Sequence, residues 1–120
     1  MLPNPRDSWF VVINPSAGGG KGLRRWPRIQ AELHRQHISH QHCITRDLVS
    51  AQAEISAAVN NGFRKFISVG GDGSHHTLIN ALNPASCQVV VAIIPVGTGN
   101  DWARTFGISR QVRRSIAHIA

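Results

Sequence analysis

Cysteine, acidic side chains and long apolar runs are scarce in this chain, and each scarcity closes off a class of protein. Its two cysteines, Cys43 and Cys87, form no framework and no close pair. That excludes a disulfide-built scaffold and predicts reduced thiols. No apolar run approaches the roughly eighteen residues that a spanning helix needs. The longest, residues 89–96, is interrupted by Pro95 and reads as a buried strand. The opening Met1-Leu2-Pro3-Asn4-Pro5-Arg6-Asp7 lacks the charged start and apolar core of a signal peptide, which predicts a cytoplasmic location. Internal repeats, low-complexity segments and the stacked aromatics of nucleic-acid modules are also missing, so nucleic acid is not an expected partner. Six acidic residues face thirteen Lys and Arg, for a net charge of +7. Such an excess suits an anionic membrane surface or a polyanionic substrate, and equally a plain solvated surface.

What is present fits one domain. The 120 residues, 42% of them hydrophobic, suffice for a single core. Continuous Val/Ile/Phe runs at residues 9–13, 66–69 and 89–94 read as strands buried on both faces, with a weaker strand at 42–45. Helical spacing lies between them. Leu23, Trp26, Ile29 or Gln30, and Leu33 make one stripe, with Pro27 inside it, so that helix either begins near Trp26 or kinks there. Asp47 is a good N-cap for a second helix carrying Leu48, Ala51, Ile55 and Val59 and ended by Asn61-Gly62. A third is expected over residues 74–82 and a fourth over 100–107, while residues 109–120 read as a helix without a stop signal, which predicts a longer parent chain. The β-α alternation predicts an open, mostly parallel α/β sheet with flanking helices and right-handed crossovers.

Ligands of such sheets bind beyond the carboxyl ends of the strands. Three strand ends here carry unusual loops: Asn14-Pro15-Ser16-Ala17-Gly18-Gly19-Gly20-Lys21-Gly22, Gly70-Gly71-Asp72-Gly73-Ser74, and Pro95-Val96-Gly97-Thr98-Gly99-Asn100-Asp101. Each precedes an expected helix, so backbone N–H groups and the positive end of a helix dipole would face an anion together. Three on one edge describe a polyphosphate cradle. The first loop fails as a Walker A motif, having Pro15 and Gly22 where Gly and Ser or Thr are required, and no loop matches Gly-x-Gly-x-x-Gly. Asp72 would repel a bare phosphate. It makes sense beside one if Mg²⁺ lies between them or if it steers an attacking hydroxyl; its plainer role is an acid at a helix N-terminus.

These three segments, with Trp102-Ala103-Arg104 after the last, resemble in order and spacing the signatures of the diacylglycerol kinase catalytic domain, shared by bacterial YegS-type lipid kinases and sphingosine kinases. The resemblance covers almost the whole chain. Gly-Gly-Asp-Gly alone also occurs in NAD kinases and phosphofructokinases; the Pro-Val-Gly-Thr-Gly-Asn-Asp run points to the lipid kinase branch. The resemblance implies a phosphofructokinase/NAD kinase-like N-terminal domain occupying residues 1–120, with a C-terminal β-rich domain to follow that holds the lipid site, a general base and a further metal site. It implies ATP and Mg²⁺ as cofactors, transfer of the γ-phosphoryl group to the hydroxyl of diacylglycerol or a related glycerolipid, and a place in phospholipid metabolism. It places Asn14, Pro15, Ser16, Ala17, Gly18, Thr45, Gly70, Gly71, Asp72, Gly73, Ser74, His75, His76 and Thr98 along the nucleotide, with Asp72 as the catalytic acid associated with the metal. An NAD kinase-like phosphotransferase and a non-catalytic nucleotide- or membrane-binding module remain as alternatives.

One departure stands out. The family commonly has Glu three residues after the Thr that follows Gly-Gly-Asp-Gly, and this chain has Ser74-His75-His76-Thr77. Ser/Thr-x-x-Glu is also a capping box, so Ser74 is expected to cap the third helix and Thr77→Glu to add a few tenths to about 1 kcal/mol. His34 and His37 would share a helix face, and His40 and His42 a strand face, without a completed ligand set. Lys21 reaches a phosphate or stays solvated. Arg24, Arg25, Arg28 and Arg35, and separately Arg110, Arg113 and Arg114, form basic faces that are solvated or attracted to a peripheral position on the inner membrane surface. Trp26 and Trp102 are expected in the core.

Overall fold

In a computed structural model that describes residues 4–15, 17–82 and 88–95, the strand signals become one sheet. Strands β1 (Trp9–Ile13), β2 (His40–Ile44), β3 (Lys65–Gly70) and β4 (Val90–Pro95) are all parallel, in the order β2-β1-β3-β4. Ile13 pairs with Ile44 and Val69, and Gly70 with Pro95, so the four carboxyl ends share one edge. β1 is central and alternates between two cores. Val11 and Ile13 meet Trp26, Ile29 and Leu33 of α1 (Ala17–Arg35). Phe10 and Val12 meet Ile55 and Ala58 of α2 (Leu48–Asn60) and Leu78 and Leu82 of α3 (Asp72–Leu82). The result is three layers, with α1 on one face of the sheet and α2 and α3 on the other, as the two-sided burial of the strands requires.

α2 fits its signals most closely. The Asp47 side chain accepts from the Ser50 N–H at 2.8 Å, and Ser50 Oγ accepts from the Asp47 N–H at 3.3 Å, a reciprocal box. Gly62, at φ 103°, ends the helix: its N–H donates to Val59 O and that of Phe63 to Ala58 O, both at 3.0 Å. Phe63 then lies edge-on to Phe10, ring centroids 5.2 Å apart.

α1 departs from expectation. It starts at Ala17, well before Trp26, and runs through Pro27. Pro27 and Leu23 are both exposed, so the Leu23 carbonyl that proline leaves without its usual donor stands on the water side. Leu23 is accordingly not in the buried stripe, and Gly22 takes its place. Gly19 and Gly20 sit inside this helix at φ 70° and 94°, so its first turns keep a glycine-dependent backbone. The far end closes with the same pair of bonds as α2, from His37 N–H to His34 O and Ile38 N–H to Leu33 O, but around His37 at φ 57°. Trp26 is core, at 5% exposure; Trp102 and the helix expected over 100–107 lie outside the described residues. β2 begins two residues earlier than its sequence signal. Burial pushes the half-buried Cys43 thiol up to about 12, with the Glu54 charge adding to it. Among the described residues no helix is long and apolar enough to cross a membrane.

Candidate functional site

The strand edge brings three distant segments together. Asn14, next after β1, donates its N–H to Val69 O at 3.1 Å. Its side-chain Nδ2 donates to Ser74 Oγ at 2.7 Å, across sixty positions of sequence. Thr45, next after β2, donates both its N–H and its hydroxyl to Ile13 O, at 3.0 and 3.2 Å. Asn14, Thr45 and Ser74 thus line one place at the strand edge.

The Gly70–Ser74 segment is tighter than a loop. β3 runs to Gly70, and α3 begins at Asp72, with the His75 N–H donating to Gly71 O at 3.1 Å. Gly71 is therefore the N-cap and Asp72 the first residue of the helix, where an acid favours the dipole. Ser74 lies inside the first turn, its hydroxyl taken by Asn14, and does not cap. Thr77 Oγ1 donates back to Gly73 O at 3.0 Å. The capping account of Thr77 is corrected accordingly, and with it the expected gain from Thr77→Glu: the helix starts two residues earlier, so residue 77 is not opposite the cap.

The glycines differ in what they do. A Cβ on Gly70 would lie 2.5 Å from Ser74 Oγ and 2.6 Å from Ser74 Cβ, so this position is closed to any side chain. At Gly71 and Gly73 a Cβ would meet nothing within 4 Å. Their backbone faces open space at the start of α3, where first-turn N–H groups have no partner within the helix. An anionic group has access there, and the residues present fit a phosphate.

Beside this turn, between α2 and α3, lies a cavity of about 220 Å³. Asn14, Thr45, Ser74 and Thr77 line its polar side and Val12, Ala51, Ile55 and Leu78 its apolar side; Arg46, Asp47, Leu48 and Ser68 complete it. Most of these were not among the expected site residues. The two histidines of the motif part company. His76 is exposed, whereas His75 has no exposed surface and its Nδ1 lies 2.7 Å from Ser68 Oγ, so its imidazole faces the sheet. Pro15 forms a turn and Ala17 and Gly18 open α1, while Ser16, Thr98 and the segment after Pro95 lie outside the described residues.

His34, His40 and His42 gather elsewhere, near Trp26. The His34 and His40 rings are 5.2 Å apart, and His42 is 4.9 Å from the Trp26 ring. Burial, and secondarily the charge of His40, lowers the His42 pKa. Among the described residues no three potential ligands surround a metal position. Arg24 and Arg28 on α1 are exposed, as is Arg35, which pairs with Glu32 of its own helix.

A parallel α/β sheet with a glycine-flanked helix start and a polar cavity at its carboxyl edge defines the class, that of open α/β domains with a ligand edge at the strand ends. Within that class the chain belongs to the diacylglycerol kinase catalytic domain family, which it matches over residues 8–120. It is 41% identical over 102 residues to a diacylglycerol kinase of Bacillus subtilis, covering 84% of this chain and 33% of that protein. To a diacylglycerol kinase of Mycobacterium tuberculosis it is 30% identical over 109 residues, covering 91% and 35%. A crystal structure of a diacylglycerol kinase from Bacillus anthracis superposes with a TM-score of 0.80 at 25% identity, over 94% of this chain and 39% of that one. The chain spans about a third of the length of the curated relatives it matches.

Proposed function

We propose that this chain is the nucleotide-binding half of a lipid kinase, holding Mg-ATP at the carboxyl edge of the sheet for transfer of the γ-phosphoryl group to the hydroxyl of diacylglycerol or a related glycerolipid. The observation that carries the reading is the joining of Asn14, Thr45 and Ser74 beside the open backbone of Gly71 and Gly73. The first-turn N–H groups of α3 receive phosphate oxygens. Asp72, at the start of that helix, serves the metal–nucleotide as the catalytic acid of the site. Mg²⁺ bound with the nucleotide supplies neutralisation of the phosphate charge. Asn14 to Gly18, Thr45, Gly70 to His76, and Thr98 form the rest of the nucleotide site, His75 through its place beneath the turn. The lipid site and the general base belong to a C-terminal β-rich domain, and catalysis requires both halves. The exposed arginines of α1 favour a cytoplasmic protein held at an anionic membrane surface, at about 1 kcal/mol for each basic residue near the headgroups.

Calorimetric titration of the chain with Mg-ATP is expected to give one site, weakened at least tenfold by Asp72→Ala. Supplying the full-length protein with labelled ATP, diacylglycerol micelles and NAD is expected to label the lipid. Label on NAD alone, or an Asp72→Ala protein with unchanged affinity and turnover, would overturn the assignment.

A further inference from the structure

Two polar side chains are buried together beneath the glycine-flanked turn. Ser68, on β3, is 1% exposed and His75, on α3, is 0% exposed, and Oγ and Nδ1 lie 2.7 Å apart. Ser68 is in register with Val12 of β1 and Ile93 of β4, on the sheet face where Phe66, Ile55 and Leu78 pack. Burial there removes water as a partner for both groups, so the bond between them is expensive to lose.

The pair also has a particular place along the chain. It joins β3 to the first turn of α3 and closes a loop over residues 69–74, of which Gly70, Gly71 and Gly73 are glycines. Glycine loses the most conformational freedom on being fixed, so a turn built from three of them is costly to order when an anion arrives. A bond across the two ends of the loop removes part of that cost in advance. The same residue makes the first main-chain bond of the helix, His75 N–H to Gly71 O at 3.1 Å. Asn14 Nδ2, bonded to Ser74 Oγ at 2.7 Å, holds the turn from the other side.

We propose, resting on the nucleotide reading above, that the Ser68–His75 bond clamps this turn in its phosphate-binding shape. Ser68 and His75 are then positioning residues, acting through the first-turn N–H groups of α3 and not by touching the phosphates.

The probe is Mg-tripolyphosphate, which has the phosphates of a nucleotide without its base or sugar. Two substitutions at residue 75 separate the bond from the bulk. His75→Leu fills the volume and loses the bond, while His75→Asn loses volume and keeps a polar atom where Nδ1 stood. His75→Leu and Ser68→Ala are each expected to weaken tripolyphosphate by about tenfold, and the double variant no further. His75→Asn is expected to stay within about threefold of the unsubstituted chain, despite a lower melting temperature. A merely structural pair would lower the melting temperature and leave the affinity of the folded variants alone. That result overturns the clamp, as does a double variant weakened by the product of the two single effects. Where a variant fails to fold, amide exchange of the unsubstituted chain decides. Helix starts ordinarily fray, and a clamped one should hold the residue-75 amide as firmly as the amides of β3; rapid exchange at residue 75 overturns the clamp. Failure of both Mg-ATP and Mg-tripolyphosphate to bind the unsubstituted chain overturns the nucleotide reading and the function of the clamp with it. Binding that ignores loss of the bond overturns the clamp alone.

Discussion

At the scale of single residues, the site rests on one position that has no room and two that have nothing near them. Gly70 lets the first turn of α3 sit directly on the end of β3, with Ser74 where a side chain would otherwise be. Gly70→Ala forces backbone-borne atoms apart, since the nearest contact includes Ser74 Cβ and not only a flexible tip. We expect it to cost about 1–3 kcal/mol in urea denaturation. It should also weaken nucleotide binding, because the Asn14–Ser74 bond must move with the turn. Gly73→Ala meets no such obstacle and serves as the comparison: its stability should change little in the ligand-free chain. A Gly70→Ala protein as stable as the unsubstituted one would show that α3 is not seated as described.

At the scale of elements, two helices end with the same bonds and different residues. α2 closes on Gly62 and α1 on His37, both at positive φ. A side chain in that conformation carries a cost of about 1–2 kcal/mol, part of which glycine gives back through its freer unfolded chain. His37→Gly is therefore expected to raise stability by about 0.5–1 kcal/mol, read as a higher urea midpoint at unchanged slope. No gain would mean that His37 makes compensating interactions. The same contrast explains what the sequence could reveal. The end of α2 was legible because Gly62 announces it, while the end of α1 carries no glycine. β1, β3 and β4 were legible as continuous Val/Ile/Phe runs because both faces are covered. β2 is an edge strand whose His40, Gln41 and His42 are partly or wholly exposed, so its first residues carry no apolar signal. The glycines of residues 18–22 hid the start of α1, and Ser74 looked like a cap only because the earlier start at Asp72 is a tertiary matter. Asn14 and Ser74 stood out through their loops, and Thr45 only through the family resemblance. The cavity did not, because Arg46, Ser68 and Leu78 become neighbours only through the gap between α2 and α3.

At the scale of the whole molecule, charge is lopsided. The chain carries +7, and among the described residues the sole ion pair is Arg35 with Glu32, neighbours on one exposed helix face. Folding gathers like charges that the extended chain keeps apart, so self-repulsion opposes the compact state. Raising NaCl from about 20 to about 200 mM, which shortens the screening length from over 20 Å to under 10 Å, should raise the melting temperature by a few degrees. A fall or no change would indicate that specific pairs outweigh the net charge.

The parallel order β2-β1-β3-β4 also bears on how the molecule comes into being. Each strand pairing spans a crossover, and β1 finds β3 only after more than fifty residues have intervened. The loop closure must be completed before those contacts repay it, which makes such sheets slow to form. The bond from Asn14 to Ser74 bridges that same span. Ligand recognition is thus unavailable to any half-formed chain: during synthesis the cradle stays absent until β3 and the start of α3 have emerged, and a nucleotide can recognise this protein only after its central pairing is made.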